Sequence, residues 1–314
     1  MPITVVGSIA YDSVKTPFGE RERMLGGAAV HFALAASFFD EVHVVGPVGA
    51  DFAEQDLEAM RKRGVDVSDV ERVAGGSTFF WRGEYGWDLN TRETLETRLG
   101  VFEEFKPKLS ERSRASELLF LANIQPDLQR EVRAQLPHAR FVALDSMNLW
   151  IEIARDSLLR AIAEVDCVVL NDAELRQLTG KPNLLSAARE VLSWKPSETA
   201  LRGPSVIVAK QGEYGASLIT RERFFALPAY PLETVIDPTG AGDTFAGGLV
   251  GYIAANRARG LSDELLRRAM AHATVLASFN VEEFGTERVQ RLAREEIVAR
   301  LRELRAMTHF SGAP

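Results

Sequence analysis

Short apolar runs that end in a glycine or a polar residue recur along the chain. ITVVG (3–7), VHVVG (42–46), LLFLA (118–122), FVALD (141–145), CVVLN (167–171) and SVIVAK (205–210) read as strands. Helical segments lie between them: AAVHFALAASFF (28–39) has helical spacing, and DFAEQDLEAMRKRG (51–64) is amphipathic and stopped by glycine. Strands alternating with helices predict an α/β fold with a mainly parallel sheet and helices on both faces. Ligands in such sheets bind beyond the carboxyl ends of the strands. Asp145, Asn171 and Lys210 stand at such ends, and Asn148 follows one of them. A turn or helix start accounts for Asp145 and Asn148 equally well.

One segment breaks the alternation. Residues 77–101 carry no helical stripe; STFFWRGEY is aromatic and β-branched, and TLETRLGVF resembles a second strand. This predicts a small β-excursion from the α/β body, either an ordinary edge hairpin or a lid that excludes water from a site. Alternation along the strand puts Phe79, Trp81 and Tyr85 on one face and Phe80, Arg82 and Glu84 on the other. TERVQRLAREEIVARLRELR (286–305) reads as one charged, solvated outer helix.

Composition excludes several classes. The net charge is −7, which argues against binding nucleic acid by bulk charge. The single cysteine, Cys167, lies in an apolar run, so no disulfide framework holds the chain and a cytoplasmic setting is expected. No basic region followed by a long apolar segment opens the sequence, and no run reaches the roughly 18 residues needed to span a bilayer. Neither a membrane nor a nucleic acid is therefore expected as a partner.

The densest motif is DPTGAGDTFAGGLVGYIAA (237–255). Gly240, Ala241, Gly242 and Asp243 precede an apolar helix. The first turn of a helix has unpaired N–H groups and the positive end of the dipole, so small residues there let an anion approach the backbone. A carboxylate beside a bound phosphate makes chemical sense if it takes a proton from an attacking hydroxyl. Taken alone, Gly-x-Gly-Asp is more simply a helix cap.

DPTGAGDTFAGG resembles the C-terminal signature of the ribokinase-like (PfkB) sugar and nucleoside kinases. LGGAAVHFALAASFFDEVHVVGPVGADF (25–52) resembles their N-terminal signature, with NDAE (171–174) and KQGEYG (210–215) between the two in the family's order. The resemblance implies a single ribokinase-like domain over 1–314, a three-layer α/β/α body with a small β-sheet lid drawn mainly from about 8–25 and 74–104. It implies transfer of the γ-phosphoryl of ATP to a hydroxyl, with Asp243 as base and the amides of Gly240, Ala241 and Gly242 as an anion hole. Asn171, Lys210, Gly212 and Gly215 would meet the nucleotide, and Glu174 would hold Mg²⁺ through water. Asp12, Gly26 and Gly27 would bind the acceptor. Asp237 would stand near a monovalent cation such as K⁺, closed by the loop FNVEEFGT (279–286). His31 stands where many relatives carry a sugar-binding asparagine, and a buried core histidine is the other reading of it.

The acceptor stays open between a nucleoside and a free sugar, sugar acid or polyol. The aromatics of 79–87 and the missing asparagine favour a nucleoside; the same aromatics suit a homodimer formed through the lid. A dinucleotide oxidoreductase would want Gly-x-Gly-x-x-Gly after the first strand, which VVGSIAYD lacks. A catalytically inactive family member would be expected to have lost TGAGD, which is intact.

Overall fold

The computed structural model describes residues 1–194, 203–256 and 260–309. Its strands are β1 (Ile3–Val6), β2 (Ala10–Thr16), β3 (Gly19–Gly26), β4 (Val42–Gly49), β5 (Val65–Val73), β6 (Phe79–Tyr85), β7 (Arg92–Arg98), β8 (Leu118–Leu121), β9 (Phe141–Asp145), β10 (Cys167–Asn171), β11 (Val206–Lys210), β12 (Ala216–Ile219) and β13 (Phe224–Leu227). Its helices are α1 (Ala28–Ala36), α2 (Glu54–Lys62), α3 (Glu111–Arg114), α4 (Pro126–Gln135), α5 (Asn148–Ile153), α6 (Arg155–Ile162), α7 (Asp172–Thr179), α8 (Leu184–Ser193), α9 (Ala241–Asn256), α10 (Asp263–Asn280), α11 (Glu287–Gln290) and α12 (Arg294–Thr308).

Nine strands form one sheet in the order β13-β12-β11-β10-β9-β8-β1-β4-β5. Every neighbouring pair is parallel except β11–β12 and β12–β13, which close one edge as antiparallel hairpins. Successive side chains go to opposite faces. Val5, Phe120, Val169 and Val208 join a core with α1, α9 and α10, while Val6, Leu121, Leu170 and Ala209 join another with α4, α6, α7 and α8. This is the three-layer α/β/α body.

The glycine-rich apolar stretch after Asp243 becomes α9, which lies between α1 and α10. A Cβ on Gly247 would come within 2.3 Å of the Phe32 carbonyl, and one on Gly248 within 2.9 Å of the Ala273 Cα. The missing side chains let three helices meet at backbone distance. All nine residues of α1 are buried, which is why it shows no polar stripe.

Two helices depart from the expected bounds. α2 starts at Glu54 rather than at residue 51, because Asp51 turns its carboxylate to the amide (2.7 Å) and hydroxyl (2.8 Å) of Thr78. The helix expected over 286–305 is two, α11 and α12. Leu292 is buried in the break, and Glu296 caps α12 by accepting from the Ala293 amide at 2.9 Å.

A second sheet, β3-β2-β6-β7, stands apart from the first. β2 and β6 run parallel and the outer pairs antiparallel. Trp81 and Tyr85 share a cluster with Val14, Met24, Phe284 and Ile236, which fixes one side of this sheet against the body. Phe79, at the first position of β6, packs on Phe102 of the turn 100–102, ring centroids 5.7 Å apart. Among the described residues no helix is long and apolar enough to cross a membrane.

Candidate active site

The carboxyl ends of β9, β10 and β11 and the start of α9 converge on one cleft. Asp145 closes β9, and its Oδ2 lies 3.0 Å from Nζ of Lys210 at the end of β11. Asn171 closes β10 and caps α7. Its Oδ1 accepts from the Glu174 amide at 2.7 Å, and Glu174 Oε2 accepts from the Asn171 amide at 2.8 Å. The Asn-x-x-Glu spacing is thus a reciprocal capping box. Nδ2 of Asn171 and Oε1 of Glu174 make no hydrogen bond among the described residues.

Charge in this cleft is unbalanced. Burial pushes Glu174 up to about 7, Lys210 pulls it back and Asp145 adds to the rise. Burial, then the Asp145 charge, raise Asp243 to about 7 against the pull of Lys210. Burial works against the Lys210 ammonium, but Asp145, Glu174 and Asp243 outweigh it and raise its pKa. Three carboxylates therefore face one ammonium. A hard divalent cation that takes oxygen ligands fits this excess, with Glu174 and Asp145 as the carboxylates able to hold Mg²⁺.

The turn before α9 divides the three amides of the expected anion hole. Ala241 N–H closes the turn onto the Pro238 carbonyl at 3.2 Å, and Thr244 N–H reaches the Gly240 carbonyl at 2.8 Å. The amides of Gly240 and Gly242 have no hydrogen bond among the described residues. Gly240 has φ +73°, and a Cβ there would fall 2.2 Å from Cε1 of His31. Lys210 lies beside Gly242, 3.0 Å from where a Cβ would stand. Asp243 is half-buried at this end of α9.

His31 underlies this turn. Its Nδ1 lies 3.0 Å from Oδ1 of Asn280. The same Oδ1 accepts from the Thr244 hydroxyl at 3.0 Å, and Asn280 Nδ2 donates to the Thr239 carbonyl at 2.8 Å. Those bonds orient the amide, so Nδ1 of His31 carries the proton and Nε2 is bare. Burial lowers His31 to about 4, with Asn280 opposing, so the ring stays neutral at ordinary pH. Nε2 is buried and has no partner among the described residues.

Asp12, on β2, faces the same turn from the other side. It is buried; burial and then the charge of Asp237 raise it to about 7, while the Gly27 amide opposes the rise. Gly26 lies against it: a Cβ would meet Oδ2 at 2.0 Å. Gly27 has φ +96°, and a Cβ there would meet the Ser8 carbonyl at 2.4 Å. Asp237 is fully buried, its Oδ1 accepting from the Thr239 amide at 2.8 Å and its Oδ2 from the Gly285 amide at 2.9 Å. These contacts make it a clamp between the anion turn and the loop 281–285.

Gly212 (φ +56°) and Gly215 (φ +99°) shape the turn between β11 and β12. They border a cavity of about 400 Å³ that Leu232, Phe245, Thr274 and Val281 also line. Asp88, Leu89 and Asn90 of the β6–β7 turn line it too, and Asn90 Nδ2 donates to Glu213 Oε1 at 3.3 Å.

The expected residues thus fall in three adjoining groups: Asp12, Gly26, Gly27 and His31; Asn171, Glu174, Lys210 and Asp243; Gly212 and Gly215. The turn 238–242 lies between them. Asn148 is exposed at the start of α5 and makes no side-chain bond among the described residues. Sequence reasoning missed Asn280 as the residue that ties His31 to the anion turn. Asn280 ends an apolar helix, where an asparagine looks like a stop signal.

The family model for pfkB family carbohydrate kinases matches residues 3–291. Cytidine kinase of Thermococcus kodakarensis is 30 % identical over 260 residues, 80 % of this chain and 88 % of that protein. Two solved structures share the fold. Burkholderia thailandensis nucleoside kinase in complex with inosine has TM-score 0.72 and 21 % identity, covering 96 % of this chain and 98 % of that one. Arabidopsis thaliana ribokinase complexed with ribose and ATP has TM-score 0.74 and 20 % identity, with the same coverages. A family match over nearly the whole length, on a fold that brings its two signatures to one cleft, means that this chain belongs to the pfkB carbohydrate kinases and is a phosphotransferase with an alcohol group as acceptor.

Proposed function

We propose that the protein transfers the γ-phosphoryl of ATP to a primary hydroxyl of a nucleoside. The observation that carries this is Asp243 at the start of α9, beside two unbonded amides and across from the Asp145–Lys210 pair. The acceptor oxygen forms a bond to the γ-phosphorus while the bond from that phosphorus to the β,γ-bridging oxygen breaks. The electron pair leaves with ADP, and Asp243 takes the hydroxyl proton. The amides of Gly240 and Gly242, the positive end of α9 and the Lys210 ammonium lie where charge spreads over the transferring group. Ala241 contributes shape rather than a donor, because its N–H is spent in the turn. Mg²⁺, when bound, neutralises phosphate charge and orients the nucleotide. Glu174 and Asp145 hold it in this reading; Asn171 meets the nucleotide's phosphates beside Glu174, and Gly212 and Gly215 meet the nucleotide at the adjoining cavity.

Asp12 accepts from acceptor hydroxyls, and Gly26 and Gly27 let the acceptor approach. The small sheet is the lid: Tyr85 meets the anion turn, its hydroxyl accepting from the Thr239 hydroxyl at 3.2 Å. The ring of Trp81 beside it, the histidine at position 31 and the resemblance to a cytidine kinase support a nucleoside over a free sugar. The free faces of this sheet carry ion pairs such as Lys15–Glu84 and Arg98–Glu96. A homodimer formed there would be polar, and light scattering tests for it.

The test is ADP release with Mg·ATP against cytidine, inosine, guanosine, adenosine, ribose, fructose, 2-keto-3-deoxygluconate and myo-inositol. Turnover of nucleosides supports the proposal; turnover of sugars alone overturns the acceptor. Asp243→Asn should lose about 10³-fold in kcat and keep its affinity for Mg·ADP. Retained turnover in that variant overturns the base. Nucleotide binding with no turnover of any acceptor would favour an inactive family member.

A further inference from the structure

One wall of the cavity beside Gly212 and Gly215 is an irregular piece of chain. Residues 228–235 run from β13 toward the anion turn with no helix or strand, and none of them makes a backbone hydrogen bond among the described residues. Yet Tyr230, Pro231, Leu232 and Val235 of this stretch line the cavity. Prolines at 228 and 231 restrict the backbone locally but do not fix its place against the body. The stretch has a single hydrogen bond among the described residues, from the Tyr230 hydroxyl to Oε2 of Glu303 at 2.5 Å.

The ring of Tyr230 has a second hold. The Arg300 guanidinium lies 4.6 Å from its centroid and 3.5 Å from that of Phe279. Arg300 and Glu303 are three residues apart on α12, so they share one side of that helix. Arg300 is only 15 % exposed, and both arms of its fork are engaged. One donates to the Ser278 hydroxyl at 3.0 Å, the other to Oε1 of Glu282 at 2.6 Å. Ser278, on α10, and Val281, just after it, line the same cavity. Arg300 therefore bonds to one wall and stacks on the other. A planar guanidinium does both at once, which an ammonium cannot. A salt bridge to Glu282 alone would need neither the ring nor the serine.

We propose that Arg300 and Glu303 are positioning residues for the donor nucleotide: through Tyr230 they hold the stretch 228–235 against α10 and so set the width of the cavity. Neither touches ATP or the acceptor, and no bond is made or broken through them. Arg300 is the stronger hold, because Glu303 is exposed and its bond competes with water. This rests on the reading of that cavity as the nucleotide's seat.

Calorimetry with Mg·ADP on wild type, Arg300→Met, Arg300→Lys, Tyr230→Leu and the Arg300→Met, Tyr230→Leu double variant tests it. Arg300→Met should weaken Mg·ADP about tenfold and raise KM for Mg·ATP by the same factor. Its kcat at saturating Mg·ATP and its acceptor KM should stay within about threefold of wild type. Arg300→Lys keeps a charge for Glu282 but not the flat face, and should recover only part of the loss. Because Arg300 acts through the tyrosine, adding Arg300→Met to Tyr230→Leu should cost less than about twofold more. A merely structural arginine would lower the unfolding temperature and leave the affinity of the folded protein unchanged. That outcome, or a further tenfold loss in the double variant, overturns the role. Should Arg300→Met not fold, Glu303→Gln and Tyr230→Phe carry the test. Each weakens the same bond, and each alone or both together should cost about threefold in Mg·ADP affinity, whereas no change overturns the proposal. A wild type that binds no Mg·ADP overturns the nucleotide reading and these roles with it; a wild type that binds while Arg300→Met binds equally well overturns only the roles.

Discussion

Gly240 occupies a point where two constraints meet. Its φ of +73° is a conformation that side chains resist, and His31 fills the space a Cβ would take. The signature TGAGD announces this glycine, but only the fold shows that the obstacle is a histidine whose own tautomer is set by Asn280. Asn280 was not legible in the sequence. Its three partners, His31, Thr239 and Thr244, lie 249, 41 and 36 positions away, so no local pattern reports it. Replacing it tests the network. Asn280→Leu leaves a ring N–H, a hydroxyl and a carbonyl unsatisfied in the core, each worth about 1–3 kcal/mol. A loss of at least about 3 kcal/mol in denaturant unfolding is expected, together with a lower kcat as the Gly240 turn loosens. Unchanged stability would show that these bonds do not hold the turn. Asp243 gives a second check at this scale. Its carboxyl is raised to about 7 by burial and by Asp145, so it is protonated and useless as a base below that pH. kcat/KM should fall toward slope one on the acid side of about pH 7, and His31, lowered to about 4, takes no part in that limb. A flat profile down to pH 5 would remove Asp243 from the role.

The strands β9, β10 and β11 each end in a polar residue, and parallel register places those ends side by side. This much was readable, since Asp145, Asn171 and Lys210 close recognisable apolar runs. What the runs do not show is that Lys210 turns to Asp145 and to the start of α9, because that depends on strand order. The pair is largely sheltered, with side-chain exposures of 19 % and 5 %. Breaking one half leaves a buried charge alone, which costs about 3–5 kcal/mol. Lys210→Met should therefore lower the unfolding midpoint and reduce kcat about 10²-fold, whereas a loss in Mg·ATP affinity alone would mean the lysine only binds nucleotide. The break between α11 and α12 was invisible for the opposite reason: the charged pattern continues across 291–293 while the chain stops to bury Leu292.

Across the whole molecule, Asp12, Glu174 and Asp243 are all held near 7 in the folded state, burial being the first cause in each. Between the ordinary carboxylate range and about pH 7 the folded chain keeps protons that the unfolded chain has released. Stability from these groups is therefore present at the acid end of that window and lost as pH rises through it. The unfolding temperature of the ligand-free protein should be higher near pH 5.5 than near 7.5, and Mg·ATP should raise it more at the higher pH, where the carboxylates are bare. A scanning-fluorimetry series at both values checks this, and equal shifts at both would mean the carboxylates are not the cation's seat. The sheet body and the family signatures were legible because strand-ending residues and glycine turns leave local marks. In the residue pattern the small sheet left only a break, and its two segments, about 8–25 and 74–104, came from the family resemblance, since β2 and β6 lie in distant parts of the chain and pair in parallel. That pairing carries one more consequence. Asp12 stands on β2, inside the small sheet, whereas the turn it faces belongs to the body. A molecule long enough to touch both stitches cover to base by its own hydroxyls. In this reading the acceptor adds a latch of its own to the Tyr85–Thr239 and Asn90–Glu213 bonds that already join cover and base.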